Sequence, residues 1–268
     1  FMSNLEIFCV TDKSSIELED LKLKLAGVGK KKFPTKYINC KKGNNIQKKE
    51  KNYSELTFHY WFWKNKLNNY DDNIWIGFCQ KRRFWLKKKL KIKNFNDLKK
   101  NLLINIPKKL NNYEAFLCEP ISVSNPKRMK IIKRGLKNYI NDLSIFYNKK
   151  KHTIKLHFDM HHGYGVLDKA IDSMNNKDKN EFRKFVSTNN KFNPHIMFIS
   201  KKKIIKKWFN DLFKWLFNCE KIFGLRNLKG YDQQRLYAYL AERYLSFWFK
   251  KYTKVKTCPW VFYNVKAK

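Results

Sequence analysis

The stretch Asn52–Trp85 constrains the fold more than any other part of the chain. Four apolar or aromatic residues in its first half are spaced as on one face of a helix: Leu56, Tyr60, Trp63 and Leu67. Its second half contains Ile74–Cys79, a short apolar run rich in aromatic and β-branched residues, which is typical of a buried strand. The stretch therefore predicts a helix, a turn at Asn68–Asn73 and a buried strand.

The predicted strand runs directly into a polar and cationic cluster, Gln80–Arg83. In open α/β sheets, ligands bind outside the carboxyl ends of the strands. Guanidinium groups bind phosphate through paired hydrogen bonds, so Arg82 and Arg83 indicate an anion site at this edge. The structural alternative is that one of the two pairs with a carboxylate such as Glu55 or Glu242.

Alternating strand and helix patterns along the chain predict an α/β protein with a helix-rich C-terminal part. The predicted strands are Leu5–Val10, Ala115–Val123 broken by Pro120, Ile196–Ser200 and Cys258–Val265. The predicted helices are Leu136–Tyr147, Val166–Met174, Lys201–Phe223 and Tyr231–Tyr252. Asn52 with Glu55 resembles a capping box at the start of the helix.

The chain has 59 Lys and Arg residues against 22 Asp and Glu residues, a net charge of +37. This charge predicts an anionic partner, unless the lysine content reflects codon drift in an AT-rich genome. The six cysteines form no CxxC pair, which argues against a zinc ribbon and favours a reducing, cytoplasmic compartment. No apolar window is long enough to span a membrane. The basic, aromatic start of Lys201–Phe223 suits either an anionic membrane surface or a core helix with a lysine-rich outer face.

Two strings in the stretch Asn52–Trp85, SELTFHYWFWKN and IGFCQKRRFW, resemble paired motifs of bacterial capsular-polysaccharide glycosyltransferases long filed as a domain of unknown function. The family motifs read roughly ELTALYWIWKN and GLCHYRRYF. Gln80 and Lys81 stand where the family has His and Tyr, and Ile196 stands where it has Asn. The resemblance implies a GT-A-like nucleotide-sugar-binding sheet flanked by helices. It also implies one domain, with a nucleotide-binding half at about 1–125 and an acceptor-side half at about 126–268.

The resemblance implies that a hexose, galactofuranose among the candidates, moves from a UDP-sugar to a surface or capsular glycan, lipid-linked in the cell. The enzyme would work in the cytoplasm, at the inner face of the membrane. Thr11, Lys13 and Asn45 lie in segments similar to the family's THK and DTGDNISEK strings, so they are candidates for nucleotide contacts. Arg82 and Arg83 are the candidates for the diphosphate. No Asp-x-Asp pair follows Ile74–Cys79, so no metal site is assigned, although Mn or Mg could take part.

Acceptor activation needs a general base, for which Glu242 is the first candidate and Asp159 the second. Glu242 lies in an aromatic helix, and we expect its charge partner to come from elsewhere than Arg243. His161 and His162 lie in a predicted turn with Asp159, which suits acceptor binding or, alternatively, a metal. His195 precedes a predicted strand and is a further acceptor-side candidate.

Two other functions stay open at the level of sequence. A basic, non-enzymatic nucleic-acid-binding protein would explain the charge, but no helix-turn-helix, zinc-finger or RNA-recognition motif is present, so no specific nucleic acid is expected. An inactive glycosyltransferase relative would explain the three departures from the family pattern.

Overall fold

The computed structural model describes residues 3–124 and 134–266. The strands are β1 (Ser3–Thr11), β2 (Lys24–Gly27), β3 (Ile38–Asn39), β4 (Trp75–Gln80), β5 (Arg83–Trp85), β6 (Asn105–Ile106), β7 (Ala115–Cys118), β8 (Ile121–Ser122), β9 (Lys191–Phe192), β10 (Phe198–Lys201), β11 (Val255–Cys258) and β12 (Trp260–Phe262).

The helices are α1 (Ile16–Glu19), α2 (Glu50–Tyr53), α3 (Leu56–Asn65), α4 (Phe95–Asn101), α5 (Leu136–Asn141), α6 (Ile154–His162), α7 (Val166–Asp172), α8 (Asn176–Thr188), α9 (Lys202–Phe223), α10 (Tyr231–Gln234) and α11 (Leu236–Tyr252). Short 3-10 helices cover Gln47–Lys49, Leu67–Asn69, Lys108–Leu110, Leu143–Phe146 and Lys149–Lys151.

The described chain divides into two compact units. The sheet unit contains residues 1–119, 195–211 and 248–268, and the helical unit contains residues 120–194 and 212–247. Helices α9 and α11 each contribute residues to both units. The prediction of a single domain in two halves stays a prediction.

A mixed sheet in the order β11-β7-β10-β4-β1-β2-β3 organises the sheet unit. Strands β4, β1, β2 and β3 are parallel, and β10 runs antiparallel to both β4 and β7. The β1–β4 register places Phe8 beside Phe78 and Cys9 beside Cys79. Because β1 and β4 are parallel and buried on both faces, their sequences read as continuous apolar runs.

Helix α3 covers the sheet with aromatic side chains. Phe58 and Phe62 pack against Phe8 and Phe78, with ring centroids between 4.8 and 6.4 Å apart. Each such buried ring contributes roughly 1.5–3 kcal/mol through burial. Tyr60, predicted on the apolar face, is only half-buried. Of the predicted face, Leu56 and Leu67 are fully buried, and the helix also buries Phe58 and Phe62.

The helical unit has its own aromatic core, in which the rings of Phe182, Trp215, Tyr244 and Phe247 are in contact. The two-stranded sheet β8–β9 belongs to this unit. Ile145 packs with Leu156 and Met160 in a smaller apolar cluster.

The structure confirms the predicted strands at β1, β4, β7 and β10 and the long helix α9, with shifts of one or two residues at most ends. Four predictions are wrong in detail. The segment Leu136–Tyr147, predicted as one helix, is α5, which ends at Asn141, and a separate 3-10 helix at Leu143–Phe146, because the backbone is extended at Asp142. The segment with His161 and His162 is helix α6 and not a turn, because Thr153 caps it and Gly163 ends it. Tyr231–Tyr252 is two helices that meet at Arg235. The closing strand is two strands separated by Pro259, which has no backbone N–H to donate to a ladder.

Candidate functional site

A cavity of about 300 Å³ lies beyond the carboxyl ends of β1 and β4, within the sheet unit. We call it the strand-end cavity. Its lining is Lys13, Ser14, Ser15, Leu18, Lys81, Arg82, Asn264, Val265 and Lys266. Four of these nine side chains are cationic and none is acidic, so the cavity is chemically suited to an anion. Two of the residues predicted to contact the nucleotide, Lys13 and Arg82, are brought together here.

A tight hairpin fixes the position of Lys81 and Arg82. Strands β4 and β5 pair through Gln80 and Arg83, which leaves these two residues as the turn. The Lys81 N–H donates to the carbonyl of Val10, and the Arg82 carbonyl accepts from the Tyr263 N–H, at 3.1 and 3.0 Å. The backbone of the turn is therefore bonded on both sides before any ligand binds.

The loop after β1 is organised by its own polar side chains. The buried hydroxyl of Thr11 donates to the Lys13 carbonyl at 2.5 Å and accepts from the Lys13 N–H at 3.1 Å. Thr11 thus shapes the turn that carries Lys13 to the cavity. Asp12 pairs with Lys81. Burial alone would raise the pKa of Asp12, but the hydrogen bond and charge of Lys81 outweigh it and lower that pKa.

Arg83 lies outside the lining of the strand-end cavity and belongs to a hydrogen-bonded row beside it. Its guanidinium donates to Gln80 Oε1 at 2.9 Å, and Gln80 Nε2 donates to Glu55 Oε1 at 2.5 Å. The predicted capping box is wrong: Asn52 lies inside α2, and Glu55, the N-cap of α3, makes no cap hydrogen bond. Gln80, the departure from the family's His, therefore links the two motifs physically.

Asn45 holds the loop that follows β3. Its amide donates to the carbonyls of Lys41 and Gly43 and accepts from the Gln47 N–H. Helix α3 holds the same loop from outside, through Trp61 Nε1 to the Lys42 carbonyl at 2.6 Å. In this structure Asn45 is a loop-shaping residue, and its contact with a nucleotide stays a prediction.

Sequence reasoning missed the C-terminal wall of the strand-end cavity. The Ser15 hydroxyl donates to the Lys266 carbonyl at 2.5 Å, and the Lys266 N–H donates to Glu17 at 2.7 Å. The first pair is separated by 251 positions in the chain. A sequence pattern within a short window cannot predict a contact between residues so far apart in the chain.

A second cavity, of about 630 Å³, lies within the helical unit. We call it the His161 cavity. Its lining is Arg134, Leu136, Lys137, Asn138, Asp159, Met160, His161, Gly163, Tyr164, Lys229, Gly230, Asp232 and Gln233. The lining includes hydrogen-bond donors, acceptors and both signs of charge, which suits a polyhydroxylated ligand better than a simple anion.

Asp159 lies at the base of this cavity and is buried. Its carboxylate accepts from Asn138 Nδ2 at 2.8 Å, from the Gly165 N–H at 3.2 Å and from Lys155 Nζ at 3.3 Å. These bonds tie α5 and the loop after α6 to one carboxylate. Asp159 thus holds the cavity together whatever its chemical role.

Two arginines lie within hydrogen-bond distance of imidazoles in the helical unit. Arg134 lies 3.1 Å from His161 Nδ1 and Arg243 lies 3.3 Å from His157 Nδ1. A guanidinium can only donate, so each Nδ1 must accept and each ring carries its proton on Nε2. His161 therefore offers an N–H donor. His162 lines neither cavity.

His162 is buried and stacks on Tyr239 at 3.9 Å. Its Nδ1 lies 2.7 Å from the Asp232 carbonyl, which can only accept, so the proton is on Nδ1. Burial, followed by the charge of Arg243, lowers the pKa of His162 to about 3. His162 is therefore a neutral packing residue in this structure.

Glu242 lines neither cavity and pairs with its neighbour Arg243, contrary to our expectation that the partner would come from another segment. The Arg243 guanidinium, which donates to Glu242 Oε2, also lies 4.2 Å from the ring centroid of Phe192 and 5.6 Å from that of Phe158. Arg243 is only 2% exposed. Burial lowers the pKa of Arg243, and Glu242 opposes that change.

His195 lies in a left-handed turn of the sheet unit, with φ of 70° at His195 and 32° at Ile196. Its ring meets Trp260 edge-on at 4.7 Å. Asn adopts positive φ far more readily than a β-branched residue, which accounts physically for Asn at position 196 in the family pattern. His195 is outside the lining of both cavities.

Other site types are not evident in the described chain. Within residues 3–124 and 134–266, no three His, Cys, Asp or Glu side chains converge as a metal site, so Asp159, His161 and His162 do not form one. The six cysteines are buried and unpaired as disulfides. Among the described helices, none combines the length and apolarity that crossing a bilayer requires.

The sheet order, with one antiparallel strand inserted beside parallel β4, and the cavity at the strand ends define a mixed α/β protein of GT-A-like fold, as predicted. The apo structure of the bifunctional glycosyltransferase WbbM has this architecture: it matches with a TM-score of 0.61 and 19% identity, over 97% of this chain and 45% of that chain. This chain thus spans less than half the length of WbbM, and at that identity the similarity establishes the fold alone.

The chain belongs to the family DUF4422, described as a domain of unknown function, which it matches over residues 7–254. Membership of a family described as a domain of unknown function agrees with the predicted resemblance, while the two motifs and the capsular setting stay predictions. No curated protein matches the chain significantly.

Proposed function

We propose that this protein is a glycosyltransferase that moves a hexose from a UDP-sugar to a surface or capsular glycan. One observation carries the proposal: a cavity with four cationic side chains lies at the carboxyl ends of two parallel strands in a GT-A-like sheet. That edge is where ligands of open α/β sheets bind. The similarity to a glycosyltransferase structure supports the reaction class.

The strand-end cavity would hold the diphosphate of the donor. Negative charge grows on the diphosphate as the glycosidic bond breaks, and fixed cations stabilise that charge. Lys13 and Arg82 face the cavity from two different loops, and the hairpin holds Arg82 in place without ligand. Arg83, bonded to Gln80, would act by supporting the hairpin and not by touching phosphate.

The His161 cavity would hold the acceptor glycan. Asp159 is the better placed of the two candidate bases, because it lines this cavity and Glu242 does not. The Nε2–H of His161 would donate to an acceptor oxygen. Removing the base should lower turnover by about 10²–10⁴-fold while leaving donor binding intact. The Asp159→Asn variant tests this with UDP affinity as its internal reference.

UDP binding by calorimetry, with and without EDTA and Mn, is the direct test of donor binding. We expect Lys13→Gln and Arg82→Gln each to weaken UDP binding by about tenfold or more, because each removes a charge-assisted hydrogen bond. Arg226→Gln, which removes an exposed arginine outside both cavities, is the matched control. Binding that survives EDTA supports the cationic site. Unchanged UDP affinity in both Lys13→Gln and Arg82→Gln would contradict the cationic site. UDP binding that requires Mn would show that a metal, and not Arg82, holds the diphosphate.

The charge of +37 motivates an alternative, non-enzymatic nucleic-acid binding. The salt dependence of binding distinguishes it from UDP binding. Nucleic-acid affinity falls steeply with salt through counterion release, whereas UDP binding in a pocket should fall far less. Tight, salt-sensitive binding to oligonucleotides without any UDP binding would favour this alternative. UDP binding without turnover of any donor would favour an inactive relative.

A further inference from the structure

The segment 136–147 of the helical unit turns large apolar side chains outward. Leu136, Ile140, Leu143 and Tyr147 are 51%, 66%, 55% and 72% exposed. Leu136 and Ile140 lie one turn apart on α5, Leu143 begins the short 3-10 helix that follows it, and Tyr147 is the C-cap of that helix. All four therefore belong to the exposed face of this segment. We propose that this face, the apolar face, binds the surface of an anionic lipid bilayer.

The opposite side of the segment is anchored, so the apolar face cannot turn inward without breaking native contacts. Asn138 is buried and donates to Asp159, and Ile145 is buried against Leu156 and Met160. The outward direction of the four apolar side chains is therefore a property of the fold.

Cations flank the apolar face. Lys137, Lys149 and Lys150 are exposed, and Lys151 pairs with Asp142. Exposed apolar side chains with lysines beside them are the composition of segments that lie in the headgroup region of anionic bilayers. The bases of a nucleic acid would find few matching donors among aliphatic side chains, and the +37 charge opposes pairing with a second copy.

The basic start of α9, the membrane surface considered from the sequence, is less suitable. Its apolar residues Ile205, Trp208 and Phe209 are fully buried, so only its lysines face outward. The alternative interpretation, a core helix with a lysine-rich outer face, is confirmed. If the protein inserts side chains into a bilayer, the apolar face can supply them and the basic start of α9 cannot.

The position of the apolar face also matters for the acceptor. Leu136 belongs to the apolar face and Lys137 flanks it, and both residues also line the His161 cavity. A lipid-linked acceptor could therefore keep its lipid in the bilayer and extend its glycan into the cavity. This consequence rests on the proposed function, whereas bilayer binding itself does not.

Sedimentation with vesicles of phosphatidylcholine, alone or mixed with phosphatidylglycerol, tests the proposal on the full chain. We expect binding that increases with the phosphatidylglycerol fraction. Replacing all four residues of the apolar face by Ser should weaken binding by at least about tenfold, since their insertion supplies the apolar part of the affinity. The triple variant Lys137→Gln, Lys149→Gln and Lys150→Gln should also weaken binding to the vesicles. The matched controls are Lys203→Gln with Lys206→Gln and Lys207→Gln on α9, and Ile222→Ser, another exposed apolar position.

Each contrary result has a distinct meaning. Equal losses from the two lysine triplets would show unspecific attraction of a basic protein and overturn the proposal. Unchanged binding after the four Ser substitutions, with thermal unfolding like wild type, would also overturn it. A dimer in sedimentation velocity that the Ser substitutions abolish would assign the face to a second copy, and binding to polyglutamate but not to vesicles would assign it to an acidic protein. Because the assay needs no UDP, its failure is separable from failure of the proposed function.

Discussion

His59 shows how one residue can make stability depend on pH. It is buried among Phe58, Phe78, Phe198 and Phe209, and among the described residues its Nδ1 has no hydrogen-bond partner. Burial lowers the pKa of His59 from 6.5 to about 3. Below pH 6.5 the unfolded chain takes up a proton that the folded chain refuses, so stability falls as the pH falls from 6.5 towards 3.

Replacing His59 by Leu should remove this loss. The free energy of unfolding of His59→Leu, relative to that of wild type, should increase by about 2 kcal/mol between pH 7 and pH 5. The reason is that His59 of the unfolded wild-type chain takes up a proton over the roughly 1.5 pH units between its ordinary pKa of 6.5 and pH 5. Urea unfolding at both pH values measures the difference, in which the contributions of the other histidines cancel. Parallel declines in the two proteins would show that His59 takes up its proton in the folded state.

Glu242 pairs with Arg243, so its structural and catalytic roles have to be separated by experiment. We expect Glu242→Gln to lower the free energy of unfolding by about 1–3 kcal/mol, because the buried Arg243 guanidinium loses its charged partner. Glu119→Gln, which removes a surface pair with Lys89, should cost under about 1 kcal/mol. Chemical denaturation compares the two. A Glu242→Gln protein as stable as wild type but inactive would restore Glu242 as a catalytic candidate.

At the scale of secondary-structure elements, Asn65 of the family motif in α3 acts as a clamp, holding the loop after β3 through hydrogen bonds to its backbone. Asn65 accepts from the Asn44 N–H at 3.0 Å and donates to the Asn44 carbonyl at 2.8 Å. Gly43 has a φ of 76°, and a Cβ there would lie 2.3 Å from Asn65 Oδ1. Motif residues that look functional from sequence therefore have a positioning role that the structure makes visible.

Releasing this clamp should loosen the loop without unfolding the sheet. We expect Asn65→Ala to cost about 1–3 kcal/mol, and both Asn65→Ala and Gly43→Ala to speed tryptic cleavage within Lys41–Lys49. Asn68→Ala, at an exposed position three residues further on, is the control. Cleavage rates equal to the control in both variants would show that the loop is held by other contacts.

For the whole molecule, excess positive charge should oppose compactness. A net charge of +37 repels itself, and salt screens that repulsion over about 10 Å at 0.1 M. We therefore expect the unfolding temperature to rise as sodium chloride increases from about 10 to 300 mM. Calorimetry measures it, with sodium phosphate as a second arm to separate screening from specific anion binding in the strand-end cavity. A constant or falling unfolding temperature would indicate that the charges are already neutralised pairwise.

The sequence was informative where a signal was local. The apolar runs of β1 and β4 and the amphipathic pattern of α9 were sufficient to predict those elements. The cluster after β4 was predicted as cationic, but the pattern could not show that Arg82 faces a cavity while Arg83 turns to Gln80. Contacts between distant positions, such as Ser15 with Lys266 or His157 with Arg243, leave no periodic trace in a single sequence.

The two-residue hairpin at Lys81 and Arg82 has a consequence for how this protein can change. Both arms belong to the main sheet, and both turn residues carry backbone bonds to other segments. An insertion or deletion there would break the pairing of β5 with β12, whereas a substitution leaves it intact. Diversification at this spot, by evolution or by engineering, should therefore exchange side chains on a turn of constant length.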